Sequence, residues 1–245
     1  METSIKQVDS LYTKPLSFKT APTLPNSCDY ALRRFKGLNL RLNNSSALKR
    51  KCFEFIQYII SKGEAKPVQD LNELGWYVPY NGGTCPLKPG KLRIVFDCSA
   101  TFSDHPLNRL LLQGPDLNNS LTGLLCQFRK DKVAVTCDIK KMFHQFRVDQ
   151  PNRKYHRFLW YKPNSSDIID YKINFHLFGA VPYPSCANFG LKKLAEDNKN
   201  DFPQSTKFVQ QSFYVDDGLI SVPTAEDAVT VRLMPKTKKW WHRAT

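Results

Sequence analysis

Phe213-Tyr214-Val215-Asp216-Asp217-Gly218 decides how the rest of the chain is read. Aromatic and β-branched residues precede and open it at Phe208-Val209 and Phe213-Tyr214-Val215, and Leu219-Ile220-Ser221-Val222 follows, a composition that predicts two strands. Asp-Asp-Gly between them is turn chemistry, so the expectation is a tight hairpin with adjacent carboxylates at its tip. Like charges at that spacing repel, and each raises the other's pKa unless a cation neutralises them. A hard divalent ion such as Mg²⁺ takes carboxylate oxygens and keeps positions open for substrate phosphates. An ordinary Asp-Gly turn with a spare surface acid is the alternative, and the hairpin alone does not choose between the two.

A second carboxylate shifts the balance. Lys132-Val133-Ala134-Val135-Thr136-Cys137 is a short apolar run that predicts a buried strand, and Asp138 emerges at its end, followed by Ile139-Lys140-Lys141-Met142-Phe143. If that strand lies beside the hairpin, Asp138 and Asp216 face each other and can bind two metal ions about 3.5–4 Å apart, the clamp used for in-line displacement at phosphorus. The competing role for Asp138 is to cap a helix over the residues after it.

Composition agrees with a polyanion partner. Thirty-six Lys and Arg against 22 Asp and Glu give a formal net charge of +14 and a pI of about 9.5, so the chain should bind polyanions in a salt-dependent way. Arg153-Lys154-Tyr155-His156-Arg157-Phe158-Leu159-Trp160-Tyr161-Lys162 interleaves bases with aromatics on which nucleobases could stack; a strand with alternating buried aromatics is the other reading. Seven cysteines without a Cys-x-x-Cys pair and five histidines without metal spacing argue against a disulfide framework and a zinc site. The N-terminus lacks a basic-then-apolar signal, and no apolar run is long enough for a membrane span. A cytoplasmic, non-secreted protein without a membrane partner is expected.

Along the chain, residues 1–25 are polar with Pro15, Pro22 and Pro25 and read as a flexible leader. Asn26 or Ser27 caps a short helix through Leu32 and Phe35. Ser45 or Ser46 precedes an amphipathic stripe of Leu48, Cys52, Phe55, Ile56, Ile59 and Ile60 that stops near Gly63. Strands and turns are expected over 64–116. Asn118 or Asn119 then opens a helix with Leu121, Leu124, Leu125 and Phe128 on one face, and Pro184-Ser185 opens another with Cys186, Phe189 and Leu194 inward.

Asp138 with Phe143 five residues on, Phe178-Gly179 with Pro184 beyond, and Tyr214-Val215-Asp216-Asp217 occur in the order of the palm motifs of reverse transcriptases. Over roughly residues 25 to 228 the chain resembles, more narrowly, the Pol polyprotein of BEL/Pao-type LTR retrotransposons. Tyr77-Val78-Pro79, Lys88-Pro89-Gly90-Lys91-Leu92-Arg93-Ile94-Val95-Phe96-Asp97-Cys98-Ser99-Ala100, Leu112-Gln113-Gly114-Pro115 and Leu194-Ala195-Glu196-Asp197 carry that likeness. The resemblance implies that Asp138 and Asp216 hold two Mg²⁺ (or Mn²⁺) ions, with Asp217 as their supporting neighbour. It implies that Phe143 gates the sugar against a 2′-hydroxyl, that Lys91 and Arg93 on a fingers strand take the triphosphate, and that Phe178, Gly179 and Tyr214 line the substrate. Taken as residues alone, Phe143 reads rather as a core side chain, and Lys91/Arg93 read equally as a charged edge strand. Pro182 departs from the Ser or Thr and Ala that the family often carries between this Gly and its Pro, and it removes an N–H from the loop.

The resulting expectation is an α+β fold: a polymerase palm, a ferredoxin-like antiparallel sheet with helices on one face, plus fingers, with the thumb missing. Its parts are a leader (1–25), N-terminal helices and fingers (26–116), a palm with the catalytic motifs (117–228) and a divergent tail (229–245). The implied activity is RNA-directed DNA polymerisation from deoxynucleoside triphosphates on a primed RNA or DNA template, in the cytoplasm or in virus-like particles. The tail, Arg-Leu-Met-Pro-Lys-Thr-Lys-Lys-Trp-Trp-His-Arg-Ala-Thr, departs from the family and raises the alternative of an impaired retroelement remnant that only binds nucleic acid. A palm-type nucleotide cyclase is the third reading.

Overall fold

The computed structural model describes residues 5–8, 11–70, 73–85, 88–139 and 141–233. In chain order the elements are β1 (Lys6–Val8), β2 (Leu11–Lys14), α1 (Cys28–Asn43), α2 (Ser46–Ser61), β3 (Ala65–Pro67), β4 (Tyr80–Cys85), β5 (Lys88–Phe96), β6 (Thr101–Phe102), β7 (His105–Pro106) and α3 (Leu107–Leu110). They continue with α4 (Leu121–Phe128), β8 (Val133–Asp138), β9 (Phe146–Val148), β10 (Arg157–Tyr161), β11 (Ile168–Ile173), α5 (Tyr183–Asp197), α6 (Pro203–Ser212), β12 (Phe213–Tyr214), β13 (Asp217–Val222) and α7 (Ala225–Leu233). No described helix is long and apolar enough to cross a membrane.

The fold is mixed α+β and divides into two compact units. Residues 1–113 and 143–183 form the first; residues 114–142 and 184–245 form the second. The division differs from the expected one, because 143–183 fall with the N-terminal residues and not with Asp138 and the 213–218 hairpin.

In the first unit, α2 forms where its sequence says it should. The Ser45 hydroxyl accepts a hydrogen bond from the Leu48 N–H at 3.3 Å, an N-cap, and the chain leaves the helix through Gly63 at φ +64°. Cys52, Ile56 and Ile59, spaced for one helical face, are fully buried. α1 is longer than expected and buries Ala31, Phe35, Leu38 and Leu42. Phe35 meets the Trp160 ring edge-on at 6.0 Å and Phe53 meets it at 4.8 Å, so the helices close over β10 in the antiparallel sheet β10-β11-β3. Phe158 and Trp160 are both 0 % exposed. The aromatic run 153–162 is therefore core at these rings, and base stacking on them is ruled out. Arg157 is buried with them: it donates to Glu73 at 2.8 Å and lies over the Tyr77 ring, while the Tyr77 hydroxyl donates to Asp170.

The leader is also built into this unit. β2 pairs antiparallel with β1 and parallel with β9, Tyr12 and Leu16 are buried, and Lys19 N–H donates to Leu110 O at 2.8 Å. A flexible segment over 1–25 is thus corrected over the described residues, by long-range pairing that local polarity does not announce.

The second unit is built on the antiparallel sheet β12-β13-β8, against which α4, α6 and α7 pack. Ser120, not Asn118 or Asn119, caps α4 by accepting from Gly123 N–H at 3.3 Å. The two asparagines tie the segment elsewhere: Asn119 donates to Phe213 O at 2.8 Å and Asn118 accepts from Asn188 at 2.7 Å. Leu124 is buried while Leu121 and Leu125 are exposed, so the expected apolar face of α4 is only partly covered. Phe208-Val209, expected as strand, lie in α6 and are buried there. In α5, Cys186 is buried, whereas Phe189 and Leu194 are half-buried.

Candidate active site

Strand pairing places the three acids. β8 and β13 run antiparallel with Val133 opposite Val222, Val135 opposite Ile220, Cys137 opposite Gly218 and Asp138 opposite Asp217. Directly opposed residues share a sheet face with Cβ atoms about 4.5–5.5 Å apart, so Asp138 and Asp217 project from one face, side by side. Like charges so placed destabilise a sheet. The apolar pairs behind them fix the register, and a one-residue slip would turn Val133, Val135 and Cys137 to the wrong face.

The hairpin is tighter than expected. Tyr214 pairs with Asp217 and Phe213 with Gly218, leaving Val215 and Asp216 as the two-residue turn, while Asp217 and Gly218 belong to the returning strand. Val215 takes φ +57°, a region that a β-branched residue rarely enters. The Asp216 carbonyl accepts from Ile139 N–H at 2.9 Å, which ties the turn to the end of β8. Gly218 answers a packing need: a Cβ there would lie 2.5 Å from Cys137 Sγ and 2.8 Å from Phe213 Cζ.

Burial holds the Asp216 carboxyl above its ordinary range; its own backbone N–H pulls the other way, and the neighbouring charges of Asp138 and Asp217 add to the rise. No Lys or Arg ion pair reaches any of the three acids among the described residues. Burial pushes the Cys137 thiol up to about 11, with the charges of Asp138 and Asp217 contributing, so this cysteine is a protonated packing group. Among the described residues no three His, Cys, Asp or Glu side chains converge into a ready-made metal cluster. Magnesium does not require one, since it binds through one or two carboxylates and completes its shell with water and substrate phosphate. Opposed carboxylates with no cationic partner among the described residues fit that requirement.

The other predicted site residues fall as follows. Tyr214 is half-buried in β12. In the first unit, Arg93 is exposed on β5 opposite Gly83, and Lys91 sits in β5 where its pairing with β4 shifts register; the Lys91 side chain lies outside the described residues. The Phe143 ring packs 5.4 Å from Phe178 and 5.1 Å from Tyr183, against the buried core. Phe178 is exposed and Gly179 takes φ +100°, in a turn closed by Ala180 N–H donating to Leu177 O at 3.1 Å.

Sequence reasoning missed Asn108. Its amide donates to Gly179 O at 2.9 Å and to Ser99 Oγ at 3.0 Å, and it accepts from Val181 N–H at 3.0 Å. One side chain thus clamps both sides of the Gly179 loop. No local pattern marks it, because both loop partners lie some seventy residues further on.

No family model and no curated protein matches the chain. Solved structures do. A foamy viral protease–reverse transcriptase bound to double-stranded DNA aligns with a TM-score of 0.61 at 15 % identity, covering 94 % of this chain and 40 % of that one. A second structure, also bound to double-stranded DNA, aligns at 0.59 and 16 %, covering 82 % and 30 %. The same kind of protein with an RNA/DNA hybrid aligns at 0.55 and 15 %, covering 82 % and 23 %. The chain spans well under half the length of these proteins. At this identity the likeness concerns the fold, and the chain has a reverse-transcriptase-like fold.

Proposed function

We propose that the chain is the palm-and-fingers portion of a reverse transcriptase, an RNA-directed DNA polymerase, and that its motifs make it one of the BEL/Pao retrotransposon type. The observation that carries this is the β8–β13 register, which sets Asp138 and Asp217 side by side next to the Asp216 turn, with no Lys or Arg ion pair to them among the described residues. Asp138 and Asp216 would hold Mg²⁺ or Mn²⁺, with Asp217 supporting them. Bound there, the metal would supply charge neutralisation and an acidified primer hydroxyl for nucleotidyl transfer. The protein's own contribution would be positioning: Asn108 holds the Gly179 loop, Phe143 would exclude a ribose hydroxyl, and Lys91 and Arg93 would bind triphosphate. Template with primer, RNA or DNA, and deoxynucleoside triphosphates are the proposed partners.

The test is primer extension by the purified chain with Mg²⁺, compared with Asp138→Asn. Extension that falls at least a hundredfold in the variant, while primer–template binding persists, supports the reading. Binding with no extension in either protein moves the chain to a non-catalytic nucleic-acid binder. Conversion of free nucleotide without a polymer product would place it among the cyclases instead.

A further inference from the structure

Helix α1 presents a surface that the carboxylate site does not use. Its apolar residues Ala31, Phe35, Leu38 and Leu42 face the core, so helical periodicity puts Arg33, Lys36, Gly37 and Leu40 on the opposite side, and all four are exposed. The flanking cations are engaged: Arg34 lies 3.7 Å from Asp97 and Arg41 donates to Asn81 at 2.9 Å. Neither Arg33 nor Lys36 has an ion-pair or hydrogen-bond partner among the described residues. The only acid of the helix, Asp29, sits in its first turn.

Gly37 gives the face its character. Glycine is the least favourable helix-interior residue after proline, and nothing in this fold demands it: a Cβ at 37 would meet no atom within 4 Å, and its φ is not positive. Its effect is to leave bare backbone beside two uncommitted cations, near Leu40 at 68 % exposure. Such a surface admits a close-approaching polyanion chain. The exposed amide on this side, Asn43, lies two helical turns beyond Lys36, and its Oδ1 accepts from Lys49 Nζ at 3.1 Å.

We propose that the outer face of α1 is a nucleic-acid contact in its own right, taking the sugar–phosphate backbone without sequence preference through Arg33 and Lys36, with Gly37 permitting close approach. This contact belongs to the first unit, whereas the three acids belong to the second, and it requires neither metal nor catalysis.

Fluorescence anisotropy with a labelled DNA duplex and a single strand of the same sequence, in EDTA over a salt series, reads it directly. Arg33→Glu/Lys36→Glu should reduce the slope of log affinity against log salt by about 1.8 for duplex and about 1.4 for single strand, the counterion release of two phosphate contacts. Gly37→Glu should weaken binding roughly tenfold. Lys62→Glu/Lys66→Glu makes the same change in net charge elsewhere on the first unit and should leave the slope nearly unchanged. All positions are exposed, and unaltered thermal melts would confirm intact folding. If the α1 variants match the Lys62/Lys66 control, this contact is refuted while nucleic-acid binding by the chain stands. If binding is instead lost to an acidic protein and not to DNA, the face serves that partner and the inference is wrong. Should the unmodified chain bind neither probe, the contact and the polymerase reading fall together, and primer extension then shows whether the second fell for its own reasons.

Discussion

A methyl group at position 218 has nowhere to go. Cys137 Sγ and Phe213 crowd the site to 2.5 and 2.8 Å, so Gly218→Ala should cost about 1–3 kcal/mol in urea unfolding, and adding Cys137→Ala should return part of it. A neutral single variant would mean the two side chains yield freely. From sequence, Gly218 was legible as special but for the wrong reason, because Asp-Gly reads as a turn while the cause is a cross-strand sulfur invisible to local pattern. Asp216 carries the second residue-scale prediction. A carboxyl raised in the fold contributes stability that is complete below its unfolded pKa, about 3.9, and is lost as pH rises through the raised value. At pH 7 the ionised Asp216 therefore weakens the second unit, and Mg²⁺ at tenfold over its dissociation constant should restore about 1.4 kcal/mol. Thermal melts should show that gain at pH 7 and little at pH 4. Asp138→Asn should raise the metal-free melting point and blunt the response; a metal shift equal at both pH values would argue that binding lies elsewhere.

At the scale of elements, the loop from Leu177 to Tyr183 hangs on one amide. Asn108→Ala should free Gly179 O and Val181 N–H at a cost of about 1–2 kcal/mol, and amide exchange at Val181 should quicken. Asn108→Asp, which keeps the acceptor, should slow that exchange again relative to alanine; identical exchange in all three proteins would show the clamp to be idle. Elements with both a cap and a period, such as α2, were plain in the sequence. Phe208-Val209 misled because two β-prone residues looked like a strand, whereas Thr206, Phe208, Val209 and Ser212 together make one buried helical side. β2 was unreadable for another reason, since its parallel partner β9 lies more than 130 residues away and nothing within the segment encodes it. The acids at the end of β8 and at the hairpin were readable, yet which acid faces Asp138 depended on whether the turn held one aspartate or two.

For the whole molecule, acid should act oppositely on the two units. Burial lowers His156 to about 4, and it lowers His176 to about 3 with the charges of His156 and Lys14 adding to the fall. Depressed histidines contribute stability that is present above about 6.5 and drains as pH falls toward those values. The first unit should lose a few kcal/mol between pH 6.5 and 4 while the second gains from protonation of Asp216. Exchange measured segment by segment across that range should show 143–183 loosening before 184–222; uniform loosening would contradict the assignment. The two units also divide the ribbon in an order that matters during synthesis. The chain crosses between them at 113, 142 and 183, so no single cut releases either one. β8 leaves the ribosome about 80 residues before β13, which at 5–20 residues per second is a wait of about 4–16 s. For that interval Val133–Cys137 is a bare β-prone ribbon. Lys130, Asp131, Lys132 and Asp138 bracket it, and charges so placed guard a nascent strand against self-association. The acid offered here as a metal ligand would then serve first as a solubility guard.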